Sequence, residues 1–265
     1  MKKIILACLA LAPWIAGAQS LDELCQQRVD SDETPGIAVA VFENGKSQFF
    51  THGFSNVASR EPVTSKTLFE IGSITKTFTC STLAYLVQKN TLALNDQAQV
   101  HLPSSIILPQ KNGKSITLLH LATAHSGLPR MPGNFSPANQ WDPYVDYTEK
   151  ELTAYLNNCE LKYEPGSTYE YSNLGMGLLG FTLTQVKNET YSDLVREVIF
   201  TPLGMKHTFI SGEDHSKLLA TGYRDTNPVQ AWTWNGRSVL TGAGGIVSNA
   251  EDMLTYLMAQ LSAEK

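Results

Sequence analysis

The sequence predicts an α+β fold, an antiparallel sheet flanked by helices and joined to a mainly helical region. Three observations carry this. Apolar runs of strand character gather near the N-terminus around one tight turn. Helix-start signatures dominate the remainder, and no strand–helix–strand alternation recurs. The composition fits a packed protein: 42% of the 265 residues are apolar and 17% charged. That is enough for a substantial core and too apolar for a disordered chain.

The elements follow in order. Residues 1–18 carry Lys2 and Lys3, an apolar run from Ile4 to Ile15, and Ala16-Gly17-Ala18. This is the pattern of a secretory signal peptide cut before Gln19. The run is too short to span a bilayer comfortably, and no later segment reads as a membrane span. Residues 19–265 are then expected as one periplasmic or secreted domain, monomeric in solution. Ser20-x-x-Glu23 is a capping box, so a helix is expected to open near Leu21. Gly36 to Phe42 is apolar on both faces, as in a strand covered on both sides. Asn44-Gly45 separates it from Gln48–Phe54, the strongest short hairpin signal. Residues 73–89 read as a helix ending at Asn90. Thr148-x-x-Glu151, Thr190-x-x-Asp193 and Ser248-x-x-Glu251 mark three further helix starts.

Several function classes find no support. Net charge is −5, and residues 19–265 hold 18 basic against 25 acidic residues. No Lys/Arg cluster occurs, so nucleic acid is not an expected partner. Cys25, Cys80 and Cys159 form an odd set without a C-x-x-C pair; Cys25 and Cys159 are free to pair after export, and Cys80 reads as core. His120 and His125 lack ligand spacing, and no H-e-x-x-h pattern occurs, so no metal is expected. Gly175-Met-Gly177-Leu-Leu-Gly180 fits a dinucleotide fingerprint, but a polar turn precedes it where a strand is required. Close helix packing is the expected use of these glycines.

Two segments carry chemistry. In Phe69-Glu-Ile-Gly-Ser73-Ile-Thr-Lys76, the hydroxyl and the amine stand at i and i+3 on one helix face. Serine is a weak nucleophile that needs a neighbouring base, and a lysine serves once burial or a nearby cation lowers its pKa. The helix N-terminus favours negative charge developing at Ser73. The second segment, Tyr169-Glu-Tyr171-Ser-Asn173, follows the turn signal Glu164-Pro165-Gly166. In an extended stretch Tyr171 and Asn173 share a side, giving a phenol that relays a proton and an amide that holds Lys76 and a substrate.

Together these segments make the sequence resemble the serine β-lactamase and penicillin-binding protein superfamily. S-x-x-K is among the marks of that superfamily, and Tyr-Ser-Asn is the second motif of its class C branch. Ile116-Thr-Leu-Leu-His-Leu-Ala-Thr, Ser126-Gly-Leu-Pro, Pro202-Leu-Gly-Met and Gly242-Ala-Gly-Gly-Ile-Val-Ser resemble the same branch. The resemblance covers nearly all of residues 19–265 and implies a β-lactamase/transpeptidase-like fold. It implies Ser73 as nucleophile, Lys76 and Tyr171 as proton carriers with the base open between them, Asn173 as a substrate-binding residue, and no cofactor. The implied substrate is a β-lactam, with a D-alanyl-D-alanine stem peptide, a small ester, or binding without turnover as alternatives. The family's third motif, Lys-Thr-Gly or His-x-Gly, does not follow Asn173; His125-Ser-Gly has the letters in the wrong place. The expectation is a chain that stops before that motif and before several strands and a final helix. The hairpin would then keep an uncovered apolar face and strand edge.

Overall fold

The computed structural model describes residues 19–212, 218–234 and 238–262. The signal-peptide assignment therefore lies outside the described residues. The first helix, α1 (Leu21–Asp30), opens at the expected capping box: Glu23 N–H donates to Ser20 Oγ (3.2 Å) and Ser20 N–H to the Glu23 carboxylate (2.8 Å). Next come β1 (Gly36–Glu43) and β2 (Lys46–Asn56), antiparallel with Gly36 opposite Gly53 and Glu43 opposite Lys46. Asn44 and Gly45 both take positive φ, 51° and 77°, as a two-residue turn matched to strand twist requires. A short β3 (Glu61–Pro62) completes the order β1-β2-β3.

Coverage of β1 differs from the expectation of burial on both faces. Its first six residues are only half-buried and its last two exposed. Helices α1 and the C-terminal helix both reach the hairpin, but among the described residues β1 has no strand on its outer edge.

From β4 (Phe69–Glu70) a 3₁₀ turn, Gly72–Ile74, runs directly into α2 (Thr75–Gln88). The left-handed Asn90, φ 56°, follows its end. The helical region comprises α3 (Leu118–Ala122), α4 (Glu149–Leu156), α5 (Asn173–Lys187), α6 (Tyr191–Val195) and α7 (Thr201–Leu203). Then come β5 (Phe209–Ile210), β6 (Gly222–Arg224), β7 (Asn227–Val229), β8 (Ile246–Ser248) and α8 (Ala250–Ser262). Strands β4, β8 and β5 form a second small sheet, and β6 pairs with β7.

The cap of α8 differs from the expected one. Asn249 Oδ1 accepts Asp252 N–H (2.9 Å), whereas Ser248 ends β8 and its hydroxyl pairs with Thr208 (2.8 Å). Strand pairing holds Ser248 extended and passes the cap to the next residue. Cys25, Cys80 and Cys159 are all free thiols, and Cys80, half-buried, packs against the core as expected.

Helix α5 is the centre of the core: Leu174, Leu178, Leu179 and Leu183 are fully buried along it. Its glycines serve close packing, as expected. A Cβ at Gly177 would lie 2.8 Å from Leu240 Cα and 2.9 Å from the Val239 carbonyl oxygen. These are backbone atoms, so they do not yield as a side chain would. Gly177→Val gains some helix propensity, worth under 1 kcal/mol, and loses more through overpacking. The expected net destabilisation is about 2–3 kcal/mol, read from the urea midpoint. An unchanged midpoint would show that the Val239–Leu240 segment moves freely.

Candidate active site

Ser73 occupies the 3₁₀ turn and Lys76 the first turn of α2. The i, i+3 spacing does what the sequence requires of it: Lys76 Nζ donates to Ser73 Oγ at 3.1 Å. The same ammonium donates to the Ala243 carbonyl at 2.6 Å. That carbonyl is positioned by packing. Thr79 Oγ1, on the buried side of α2, lies 2.8 Å from the Gly242 carbonyl and 2.6 Å from the Tyr191 hydroxyl. The rings of Trp234 and Tyr144 stack with centroids 4.1 Å apart, and Trp234 lies against Gly244 and Gly245.

Tyr171 arrives from the loop before α5, and its hydroxyl donates to Ser73 Oγ at 2.7 Å. Both sides of this loop are stitched to the segment 124–130. Glu170 N–H donates to the Ala124 carbonyl (2.8 Å), Ser172 Oγ to the Pro129 carbonyl (2.6 Å) and Asn173 N–H to the Arg130 carbonyl (2.9 Å). Ser172 also caps α5, accepting Gly175 N–H at 2.7 Å. Gly127, φ 78°, lets this segment turn beneath the Tyr163 carbonyl, where a Cβ would lie 2.2 Å from the oxygen. The Ser126-Gly-Leu-Pro stretch is therefore the support of the tyrosine motif.

Asn173 is placed differently from the sequence argument. The extended run ends at Ser172, so Asn173 is the first helical residue and does not pair with Tyr171 across one side. Its amide donates to Met131 Sδ (3.5 Å) and makes no hydrogen bond with Lys76. The Ala243 carbonyl holds Lys76 instead.

Charge in the site is uneven. Burial pushes the Lys76 ammonium below the usual lysine range; Tyr171 opposes this and the charge of Arg130 adds to it. For Tyr171, burial favours the neutral phenol, but contact with Lys76 and Ser73 and the charges of Lys76 and Arg130 outweigh it and hold the phenol below its ordinary range. Lys76 Nζ and Arg130 Cζ each lie 4.9 Å from the Tyr171 ring centroid. The Ser73 backbone N–H has no acceptor among the described residues, so it is free to donate to a bound oxygen. A cleft of about 560 Å³ runs beside Lys76 and Tyr171, walled by Ala84, Ala122 and Met176. This arrangement suits acyl transfer: a hydroxyl nucleophile, two proton carriers within reach, and one backbone donor for an oxyanion.

Among the described residues no cluster of His, Cys, Asp and Glu is arranged to hold a metal ion. None of their helices is long and apolar enough to cross a membrane. Two participants escape the sequence argument. The Ala243 carbonyl belongs to the Gly242-Ala-Gly-Gly run, whose glycines signal close backbone approach but not its target. Arg130 has no local signal separating it from a solvated surface arginine.

The family model described as Beta-lactamase matches residues 21–265. The "Beta-lactamase" of Yersinia enterocolitica is 34% identical over 233 residues, covering 87% of this chain and 56% of that protein. The "D-alanyl-D-alanine-carboxypeptidase/endopeptidase AmpH" of Escherichia coli K12 is 31% identical over 231 residues, covering 86% and 58%. A solved structure, "Beta-lactamase/D-alanine Carboxypeptidase" from Yersinia pestis complexed with citrate, superposes with a TM-score of 0.75 at 27% identity. It covers 90% of this chain and 68% of that one. The matched region thus spans little more than half the length of these two curated relatives.

Proposed function

The chain belongs to the Beta-lactamase family, and from that premise we propose that residues 19–265 act as an exported serine hydrolase of class C type, acylated at Ser73 by a β-lactam. One observation carries the reading: Lys76 Nζ and Tyr171 Oη converge on Ser73 Oγ at 3.1 and 2.7 Å.

Ser73 Oγ attacks the lactam carbonyl carbon while its proton passes to the Lys76–Tyr171 pair. The Ser73 N–H donates to the oxyanion that forms. Collapse breaks the carbon–nitrogen bond, and the pair returns its proton to the leaving nitrogen. Water then cleaves the Ser73 ester and regenerates the hydroxyl. Because the two carriers are coupled, their proton is best assigned to the pair. Asn173, at the mouth of α5, contributes an amide to the bound substrate. The second reading is a D-alanyl-D-alanine peptidase, favoured by the relatives whose names carry that activity. The acyl-transfer steps are the same, with a peptide nitrogen leaving.

Intact-mass spectrometry after exposure to a penicillin tests the proposal. The expected result is a penicilloyl adduct that maps to Ser73, transient for a lactamase and persistent for a peptidase. The absence of both adduct and hydrolysed drug, with no release of D-alanine from a stem peptide, would overturn both readings.

The pH dependence has a defined sign. Acylation is expected to rise with pH as the pair loses a proton, with a midpoint below the ordinary lysine and tyrosine ranges. Contact with Tyr171 favours the Lys76 ammonium, so Tyr171→Phe lowers the Lys76 pKa further. The variant should be slower by about 10²-fold or more, with its residual limb at lower pH than in the parent. A limb that moved to higher pH would separate Tyr171 from Lys76.

A further inference from the structure

Arg130 stands beside this site with an exposed side chain, and no carboxylate forms an ion pair with it among the described residues. Its backbone has a separate task, since its carbonyl accepts the N–H groups of Asn173 (2.9 Å) and Leu174 (3.2 Å). The loop geometry therefore does not depend on the guanidinium. That group instead lies 4.9 Å from the centroid of the Tyr171 ring. We infer that Arg130 is a positioning residue of the Ser73 site: its guanidinium over the Tyr171 ring favours the deprotonated state of the Lys76–Tyr171 pair that takes the Ser73 proton.

A cation over an aromatic face is drawn to the electron density of the ring. Loss of the phenolic proton increases that density, so the attraction is stronger with the phenolate than with the phenol. The charged and titratable neighbours of Tyr171 are Lys76 from α2, Arg130 from the supporting loop and Tyr144 from the loop that follows. None is a carboxylate, so nothing in this set offsets the two cations. The direction found for Tyr171 agrees, with Arg130 among its causes. Arg130 also disfavours the Lys76 ammonium. Removing its charge therefore moves both partners of the pair in one direction, and the sign of the effect does not depend on which of them accepts the Ser73 proton.

The inference rests on the acyl-transfer reading above, and the experiment has two arms so that each fails separately. In the first, tyrosinate absorbance is followed against pH, and subtraction of the Tyr171→Phe titration isolates Tyr171. No substrate is involved. Arg130→Gln is expected to raise the Tyr171 midpoint by about half a pH unit at low salt, with the difference shrinking near 1 M salt. Arg130→Lys keeps the charge and is expected to restore most of the shift. In the second arm, penicillin acylation is timed by intact mass. The acid limb of Arg130→Gln should move to higher pH by the same amount, making the variant about threefold slower below it. An unchanged Tyr171 midpoint at low salt, with the parent protein acylated normally, would overturn the role of Arg130 and leave the reaction standing. A shifted midpoint in a protein that takes no penicillin would overturn the reaction and leave the Arg130–Tyr171 coupling standing.

Discussion

Ser73→Ala, exposed to a penicillin that acylates the parent chain, is expected to gain no mass at all, and Lys76→Ala to be acylated at a rate reduced by on the order of 10⁴-fold or more. The reasoning starts from the shared oxygen. Lys76 and Tyr171 both donate to Ser73 Oγ, and they also touch each other, so the two carriers and the nucleophile meet as one cluster. Groups that operate on one atom act as a unit, so their losses do not multiply. In residual drug hydrolysis, read in place of the absent adduct, the Ser73→Ala/Lys76→Ala double variant should therefore be no slower than Ser73→Ala alone. What remains would come from binding and from the residue-73 N–H, which the alanine keeps. Lys76→Ala also strips the Ala243 carbonyl of its donor, so Lys76→Met, which keeps much of the stem volume, separates lost packing from lost proton transfer. Adduct formation in Ser73→Ala would place the nucleophile elsewhere. A double variant slower by the product of the single losses would break the unit.

The parts of this molecule legible in the sequence are those fixed by near neighbours. The capping boxes at Ser20 and Thr148 and the Asn44-Gly45 turn each need contacts within a few residues, and all three form as read. The Ser73–Lys76 contact belongs to the same class. The strands β4, β5 and β8 do not: each has two or three residues, too few for a period, and Phe69 meets Ser248 only in the finished fold. That pairing also overrides the local signal at Ser248 and moves the α8 cap to Asn249. Tyr171 is 98 residues from Ser73, and the Ala243 carbonyl 167 residues from Lys76. The first is legible through the resemblance that the two motifs carry together. The second is a backbone group, which side-chain motifs do not report. Arg130 is not legible in the sequence because its effect depends on the ring it lies over, a contact across the fold.

The largest expected loss of stability is at Phe78, two residues after Lys76 on the buried side of α2. The ring is fully buried, stacks on Tyr256 with centroids 3.9 Å apart and planes 13° apart, and meets Phe200 edge-on at 5.9 Å. It thus joins α2 to α8 and to the π-helical turn Arg196–Phe200. Phe78→Ala is expected to cost about 3–5 kcal/mol, the usual range for a large buried ring whose space does not close. The two ring pairs account for about 0.5–1.5 kcal/mol each beyond burial. Closure of the cavity is opposed by Tyr256 itself, whose hydroxyl is tied to Ser81 (2.9 Å) and Thr77 (3.2 Å) of α2. Phe78→Leu fills most of the space and should lose less than half as much. The urea midpoints of the two variants decide the matter. A loss below 2 kcal/mol in Phe78→Ala would mean that α8 collapses onto α2 despite those hydrogen bonds. If instead the full loss appears while folded protein is still acylated at nearly the parent rate, the placement of Lys76 depends on its own turn and on the Ala243 carbonyl, and the aromatic contact beneath it serves stability alone.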